Sequence, residues 1–232
     1  MNKIVVTTSW DDGHVLDLKL ADLLRRYTIA GTFYIAPENH EIPPDERLSR
    51  EQVLGLSKDF EIGGHTMTHP RLSDVPDTMA RQEVTVGKRT LEGWIGHEVK
   101  SFCYPGGDYT AANKQMVKEA GFTVARTVER FAMERGADPL AMPTTIHAYR
   151  HWSDILPIFR NAGAGNFVHQ YGNWDELAID LFDKIVGVGG VFHLWGHSWE
   201  IEKNRDWNRL ERVLNHIANR PEIAYVTNGQ LA

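Results

Sequence analysis

Short apolar runs rich in β-formers alternate along this 232-residue chain with stretches of helical periodicity. The run KIVVTTSW, for example, is followed by VLDLKLADLLRRY, in which Leu16, Leu20, Leu23 and Leu24 recur at helical spacing. Connections longer than ten residues let successive strands run parallel, with a helix in each crossover. The alternation therefore predicts an α/β fold in which helices cover a parallel sheet.

The predicted strands and helices make seven or eight β/α units. The strands are KIVVTTSW, GTFYIA, FEIGGHT, VKSFCYP, FTVART, TTIHAY, GVFHLWGH and IAYVT. The helices are VLDLKLADLLRRY, SREQVLGLS, residues 77–95, AANKQMVKEAG, HWSDILPIFRNAG, WDELAIDLFDKIVG and WNRLERVLNHIAN. Since no G-x-G-x-x-G fingerprint is present, a distorted (β/α)7–8 barrel is favoured over a doubly wound open sheet. We find no repeat or linker and expect one domain over residues 1–232.

Composition narrows the class of protein further. A net charge of −6 on a mixed surface argues against a nucleic-acid partner, and the single cysteine, Cys103, excludes an internal disulfide. The N-terminal MNKIVVTTSW has no apolar h-region, and no segment is apolar enough to span a membrane. We expect a cytoplasmic protein without a membrane partner; the oligomeric state stays open.

Polar side chains collect where the predicted strands end, and in a β/α barrel those ends converge on one mouth. The residues concerned are Asp11, Asp12, His65 with His69 just beyond, Tyr104, Arg126, His147, His193 and His197. Strand ends are often polar, which explains any one of these residues but poorly explains a pair of acids with several histidines. The mouth is therefore the candidate active site.

A carboxylate with two neutral imidazoles suits a borderline divalent metal such as zinc, and Asp12, His65 and His69 offer that set. Gly63-Gly64 would let the backbone turn sharply and aim both rings at one point. Bound metal charge would offset the repulsion between adjacent acids, leaving Asp11 as a base. The alternatives are a pair of surface histidines and an ordinary Asp-Gly turn.

Four segments carry a resemblance to the polysaccharide deacetylase family, the NodB-homology or carbohydrate esterase family 4 domain. TTSWDDGH resembles its first motif, GGHTMTHPRL its second, FCYPGGDY its third and HLWGHSWE its last. The segments occur in the family's order and cover nearly the whole chain. The resemblance implies the family's distorted barrel and hydrolysis of an N-acetyl group on a sugar or saccharide.

The resemblance also implies residue roles. Asp11 would be the general base and His197 the general acid. Asp12, His65 and His69 would hold one divalent ion, usually zinc. Tyr104 lies in the third motif, whose backbone N–H would hold the oxyanion.

The chain departs from the family's commonest pattern at three points. Trp10 replaces a Phe or Tyr, and Cys103 stands where many members have an Arg that orients the base, a charge that Arg126 could supply. Two histidines end the last motif, and in a strand His193 and His197 face the same side. We prefer His197 as the acid because HSWE matches an H-P-W-E variant; His193 is the alternative.

Substrate contacts are expected from Tyr104, Trp195, Trp199 and His14. Trp152 could also stack on a sugar ring, but a core aromatic is favoured there. Two other functions stay open. The same site in an amidohydrolase or deformylase could cleave another C–N amide of a small or lipid-linked substrate. An inactive sugar-binding module is the alternative of another class, although every proposed metal ligand is present.

Overall fold

The computed structural model of the chain describes residues 4–159 and 170–231. Its strands are β1 Ile4–Asp12, β2 Thr32–Ile35, β3 Glu61–Gly64, β4 Ser101–Cys103, β5 Val124–Arg126, β6 Ile146–His147, β7 Gly190–Gly196 and β8 Ile223–Tyr225. Its helices are α1 Asp17–Tyr27, α2 Arg50–Leu56, α3 Asp77–Ile95, α4 Ala111–Glu119, α5 Trp174–Val188, α6 Ser198–Asn204 and α7 Trp207–Ile217. All the recorded strand pairs are parallel, in the order β5-β4-β3-β2-β1-β7-β6, with β8 also on β1.

β1 is the central strand because it pairs on both sides. Ile4–Trp10 pairs with β7 on one edge, while the other edge pairs with β8 along Ile4–Val6 and with β2 along Ser9–Asp12. A strand enclosed in this way must be apolar or internally satisfied, which explains the long run IVVTTSW before the two acids. The sheet curls into the distorted barrel that the alternating pattern predicts.

The barrel is interrupted between β5 and β6, which within the described residues do not pair with each other. The irregular segment 127–145 fills this seam with single backbone hydrogen bonds. Met142 N–H donates to Ala125 O of β5 at 2.8 Å, and Thr145 N–H donates to His193 O of β7 at 3.1 Å. A loop therefore takes the place of a barrel strand beside the end of β5.

Helix signals in the sequence are confirmed in detail. α2 begins with a capping box, in which the side chains of Ser49 and Gln52 each bond the other residue's backbone N–H, and α3 spans Asp77–Ile95 as expected. The short helix α6, directly after β7, was not predicted. In the predicted helix HWSDILPIFRNAG, Trp152–Asp154 form a 3₁₀ turn with helical residues up to 159, and residues 160–163 lie outside the described part.

The expectation that Trp152 is a core aromatic is wrong, because its side chain is 71% exposed. The main core cluster instead includes Val6 and Trp10 of β1 with Leu20, Leu91 and Leu210 of the covering helices, and a smaller cluster joins Val124, Met142 and Leu231. Among the described helices, none is both long and apolar enough to cross a membrane.

Gly63 is tightly packed between β2 and β4. A Cβ at this position would lie 2.4 Å from ring carbons of Tyr34 and 2.8 Å from Ser101 Oγ. We expect Gly63→Ala to lower the free energy of unfolding by about 1–3 kcal/mol, because buried neighbours must move. Urea denaturation measures the change. Gly55→Ala is the control, since a Cβ there meets nothing within 4 Å and alanine favours the helix; equal losses in both variants would contradict the packing argument.

Candidate active site

A cavity of about 330 Å³ opens where the strands end. Nine of the residues singled out from the sequence line it: Asp11, Asp12, His65, His69, Tyr104, His147, Trp195, His197 and Trp199. Three others, His14, Arg126 and His193, do not. The barrel thus brings side chains from β1, β3, β4, β6 and β7, or from just beyond them, to one mouth.

Asp12, His65 and His69 converge on one point. His69 Nε2 lies 3.2 Å from Asp12 Oδ1 and 3.1 Å from His65 Nε2, and His65 Nε2 lies 3.6 Å from Asp12 Oδ1. Donors that share one tetrahedral zinc at about 2.0–2.2 Å lie roughly 3.3–3.6 Å apart. Asp12 Oδ1 is buried without a hydrogen-bond donor. The donor set and its spacing fit a divalent ion.

The Nδ1 atom of each imidazole lies next to a protein oxygen, which leaves Nε2 available to a cation. His65 Nδ1 lies 2.7 Å from the Cys103 carbonyl oxygen, which fixes Nε2 as the free nitrogen. His69 Nδ1 lies 3.3 Å from a Glu41 carboxylate oxygen. Although burial lowers the pKa of His69, Asp12 and Glu41 raise it above its ordinary value.

The turn that presents both histidines is not made by Gly63-Gly64, as the sequence suggested. Both glycines belong to β3, and the left-handed residues are Thr66 and His69, with φ of 66° and 71°. Glu83 of α3 holds this turn by accepting from the N–H groups of Met67 and Thr68 at 2.9 and 2.8 Å. Backbone conformations that L residues rarely adopt persist where surrounding contacts enforce them.

Asp11 forms a buried ion pair with Arg126. Nη2 of Arg126 contacts both carboxylate oxygens of Asp11. Arg126 is 0% exposed and Asp11 is 2% exposed. Burial raises the pKa of Asp11, but the charges of Arg126, His65 and His197 together outweigh it and hold the pKa below its ordinary value. The guanidinium also lies 4.6 Å from the Trp195 ring centroid. Asp11 is thus kept ionised in a site largely closed to water.

His197 lies on the other side of Asp12, with Nε2 3.9 Å from Asp12 Oδ2. Its Nδ1 lies 2.5 Å from Glu200, whose same oxygen is 3.1 Å from Nε2 of the buried His147. Burial lowers the pKa of His197, but Asp12 and Glu200 raise it to about 9. Burial lowers the pKa of His147 to about 3. One imidazole is therefore cationic at neutral pH and its neighbour is neutral.

The aromatic residues of the cavity have definite contacts. Trp195 stacks on His147 with ring centroids 3.8 Å apart, and Trp199 Nε1 donates to Asp12 Oδ2 at 2.8 Å. Tyr104 donates its hydroxyl to Leu140 O at 3.0 Å and its backbone N–H to Arg126 O at 3.4 Å. Tyr104, Trp195 and Trp199 therefore form part of the cavity surface around Asp12, His65 and His69.

Two predicted residues lie apart from the cavity. His193 is buried in the barrel interior, where Nε2 lies 2.9 Å from Ser9 Oγ, and burial lowers its pKa to about 3. His14 lies 3.3 Å from Glu46 through Nε2 and accepts the Leu16 N–H at Nδ1. Both side chains are bound to protein groups.

The polar strand ends predicted from the sequence include His147, without a specific role, whereas Glu200 was given no role and His151 was treated as a surface or structural residue. All three line the cavity, and His151 Nε2 lies 2.6 Å from His147 Nδ1. The available signal for Glu200 was its i,i+3 spacing from His197 at the start of α6. The signal for His147 was its place in a predicted strand; none comparable exists for His151, which follows that strand.

Comparison with known proteins was made by sequence and by fold. The sequence pattern of the family described as "Polysaccharide deacetylase" matches residues 1–125, just over half of the chain. A peptidoglycan-N-acetylglucosamine deacetylase of Bacillus cereus is 29% identical over 192 residues, which cover 80% of this chain and 81% of the relative.

Solved structures share the fold at low identity. A Mycobacterium smegmatis protein assigned to the polysaccharide deacetylases superposes with a TM-score of 0.70 at 15% identity, covering 99% of this chain and 88% of its own. The Streptococcus pyogenes deacetylase PplD, solved with acetate, gives a TM-score of 0.55 at 16% identity. That match covers 59% of this chain and 62% of the streptococcal one.

The Asp11–Arg126 pair predicts a characteristic pattern of stabilities. We expect Arg126→Met to lower the free energy of unfolding by about 3–5 kcal/mol, because it leaves the Asp11 charge buried and unpaired. The double variant Asp11→Asn/Arg126→Met should be more stable than Arg126→Met alone. Urea denaturation in chelator, which removes any stabilisation by bound metal, measures both. Strictly additive losses would show that the two charges are not coupled.

Proposed function

We propose that this chain, which belongs to the polysaccharide deacetylase family, is a metal-dependent hydrolase that removes an N-acetyl group from an amino sugar or acetylated saccharide. One observation carries the proposal. Ligand atoms of Asp12, His65 and His69 lie within 4.8 Å of one another in the cavity, beside a buried acid and a cationic imidazole. Metal-assisted hydrolysis of an amide uses a bound ion, a base for the attacking water and an acid for the departing amine.

Asp12, His65 and His69 would hold one divalent ion, and two nitrogens with one oxygen favour zinc. When bound, the ion would polarise the amide carbonyl and lower the pKa of a coordinated water. The unpartnered Asp12 Oδ1 and the Nε2 atoms of both histidines supply the ligand atoms. Trp199 fixes the other oxygen of Asp12, so the carboxylate keeps one orientation.

Asp11 would act as the general base. It is the neighbour of a metal ligand in the chain, lines the cavity and is held ionised by Arg126. It would take a proton from the water that attacks the carbonyl carbon. Arg126 would fix the Asp11 carboxylate. In many family members an Arg at the position of Cys103 has this role.

His197 would act as the general acid. Because its pKa is raised to about 9, the ring carries a proton at neutral pH that it can give to the departing amine. Glu200 binds Nδ1, which leaves Nε2 directed towards Asp12 and the cavity. The products would be acetate and a free amino sugar.

The remaining contacts would position the substrate. Trp195 and Trp199 line the cavity and offer apolar surface to a sugar ring. The third motif would contribute a backbone N–H to the oxyanion. For Tyr104 this requires exchange of its long bond to the Arg126 carbonyl, which measures 3.4 Å.

Acetate release tests the proposal directly. Purified protein with Zn²⁺ is expected to release acetate from at least one class of N-acetylated oligosaccharide, peptidoglycan fragment or nucleotide sugar. Chelator should abolish the release and added Zn²⁺ restore it, whereas Asp12→Ala should lose both bound zinc and activity. Formate in place of acetate would favour a deformylase. Saccharide binding without any release, by zinc-loaded protein, would identify a binding module and refute the enzyme.

The pH profile of acetate release tests the His197–Glu200 pair. His197 donates only when protonated, so kcat/KM should fall as the pH rises through its pKa. Because Glu200 raises that pKa, Glu200→Gln should move the fall to lower pH. Glu202→Gln, on the same helix but bonded to Lys19 and Trp207, is the control and should leave the profile unchanged. Coincident profiles for all three proteins would exclude His197 as the acid under Glu200 control.

A further inference from the structure

The cavity holds a second group of metal-ligating side chains, which shares no residue with the ion site proposed above. His147 comes from β6, His197 directly precedes α6, and Glu200 lies in the first turn of that helix. One ligand atom of each lies within 4.8 Å of the other two, and all three residues line the cavity. Two imidazoles with a carboxylate are the same type of donor set as in the first ion site.

His147 has a buried nitrogen without a partner. The residue is 3% exposed, and its Nε2 has no hydrogen bond although it lies 3.1 Å from a Glu200 carboxylate oxygen. On the other side of the ring, Nδ1 lies 2.6 Å from His151 Nε2. When Nδ1 carries the ring proton and donates to His151, the Nε2 lone pair faces the negative oxygen. A cation between these two atoms would bind both and remove their repulsion.

Glu200 lies between the two imidazoles of the group. The carboxylate oxygen that approaches His147 also lies 2.5 Å from His197 Nδ1. Donors that share one zinc lie roughly 3.3–3.6 Å apart, so an ion must widen the contact between His197 and Glu200 by about 1 Å. Ligand atoms of the first ion site already lie 3.1–3.6 Å apart. We therefore expect the second group to bind an ion more weakly than the first.

We propose that His147, His197 and Glu200 form a second, weaker site for a divalent cation such as Zn²⁺, and that an ion bound there inhibits the enzyme. The inhibition rests on the proposed function, in which His197 is the general acid, whereas the binding of the ion does not. The ion would occupy Nδ1 of His197 and withdraw the Glu200 oxygen from it. The ring could then not carry a proton on both nitrogens, so the departing amine would lose its acid.

Zinc binding tests the site independently of catalysis. Equilibrium dialysis against buffered free Zn²⁺, followed by metal analysis, should show one tight and one weaker ion in the native protein. His147→Gln and, as an independent variant, Glu200→Gln should each weaken the second ion at least about tenfold and keep the tight one. Asp12→Ala, which loses the tight ion, should keep the weaker one. His216→Gln, on α7 where His216 bonds the exposed Asp183, is the control and should bind both.

The zinc dependence of acetate release tests the inhibition. The rate of the native enzyme should rise as the tight site fills and fall again at higher free zinc. His147→Gln and Glu200→Gln, each measured against its own maximal rate, should need at least about tenfold more zinc for the same fractional fall. His216→Gln should follow the native curve.

The outcomes separate the two proposals. A native protein that binds one zinc ion and keeps its full rate in excess zinc would overturn the second site and leave the proposed function standing. A fall in rate at the same zinc concentration in the native protein and both variants would place the inhibitory ion elsewhere and overturn the second site as well. No acetate from any acetylated saccharide would defeat the proposed function, and with it the inhibition, while dialysis would still decide whether the second ion binds.

Discussion

Two adjacent carboxylates at the end of a buried strand set the main physical requirement of this molecule. Asp11 and Asp12 are 2% and 6% exposed, and unpaired charges at such depth would be strongly destabilising. The two carboxylates are stabilised in different ways. Asp11 is matched by a permanent cation, Arg126, whereas Asp12 is left with one bonded oxygen and one open oxygen beside two imidazoles. Arg126 neutralises the Asp11 carboxylate permanently, whereas the open oxygen of Asp12 is available to a bound cation.

Several parts of the surrounding fold position the partners of these two carboxylates. β5 must end at Arg126, one strand beyond β4, and the turn after β3 must aim two rings back at β1. Glu83 secures that turn from the helix outside the barrel. On the opposite side, α6 starts directly after β7, so that His197 and Glu200 bond each other within one turn. His197 and Asp11 therefore reach the same cavity from opposite sides of Asp12.

The fold could be predicted from the sequence because it depends on local signals, and the candidate metal ligands follow from the predicted strand ends. Apolar runs of strand length, helices such as 77–95 and the capping box of Ser49 are encoded within a few residues. Parallel strands then bring their ends together by topology alone. Contacts that depend on tertiary placement were missed. Among them are the contacts of His147 with Glu200 and His151, which come from separate elements. The exposure of Trp152 likewise depends on how the turn after β6 lies against Arg130. Gly63-Gly64 shows a related error, since closeness of Tyr34, not a turn, excludes a side chain at Gly63.

The seam between β5 and β6 has a consequence for how such proteins can diverge. One wall of the cleft is built from segment 127–145, which is tied to the sheet by isolated backbone bonds. Length changes in a loop of this kind cost little, because loop-closure entropy grows slowly with length. The strands that carry the reactive groups lie elsewhere in the sheet and need not shift. Selection can thus remodel the shape of the cleft for new glycans while the hydrolytic chemistry is inherited intact.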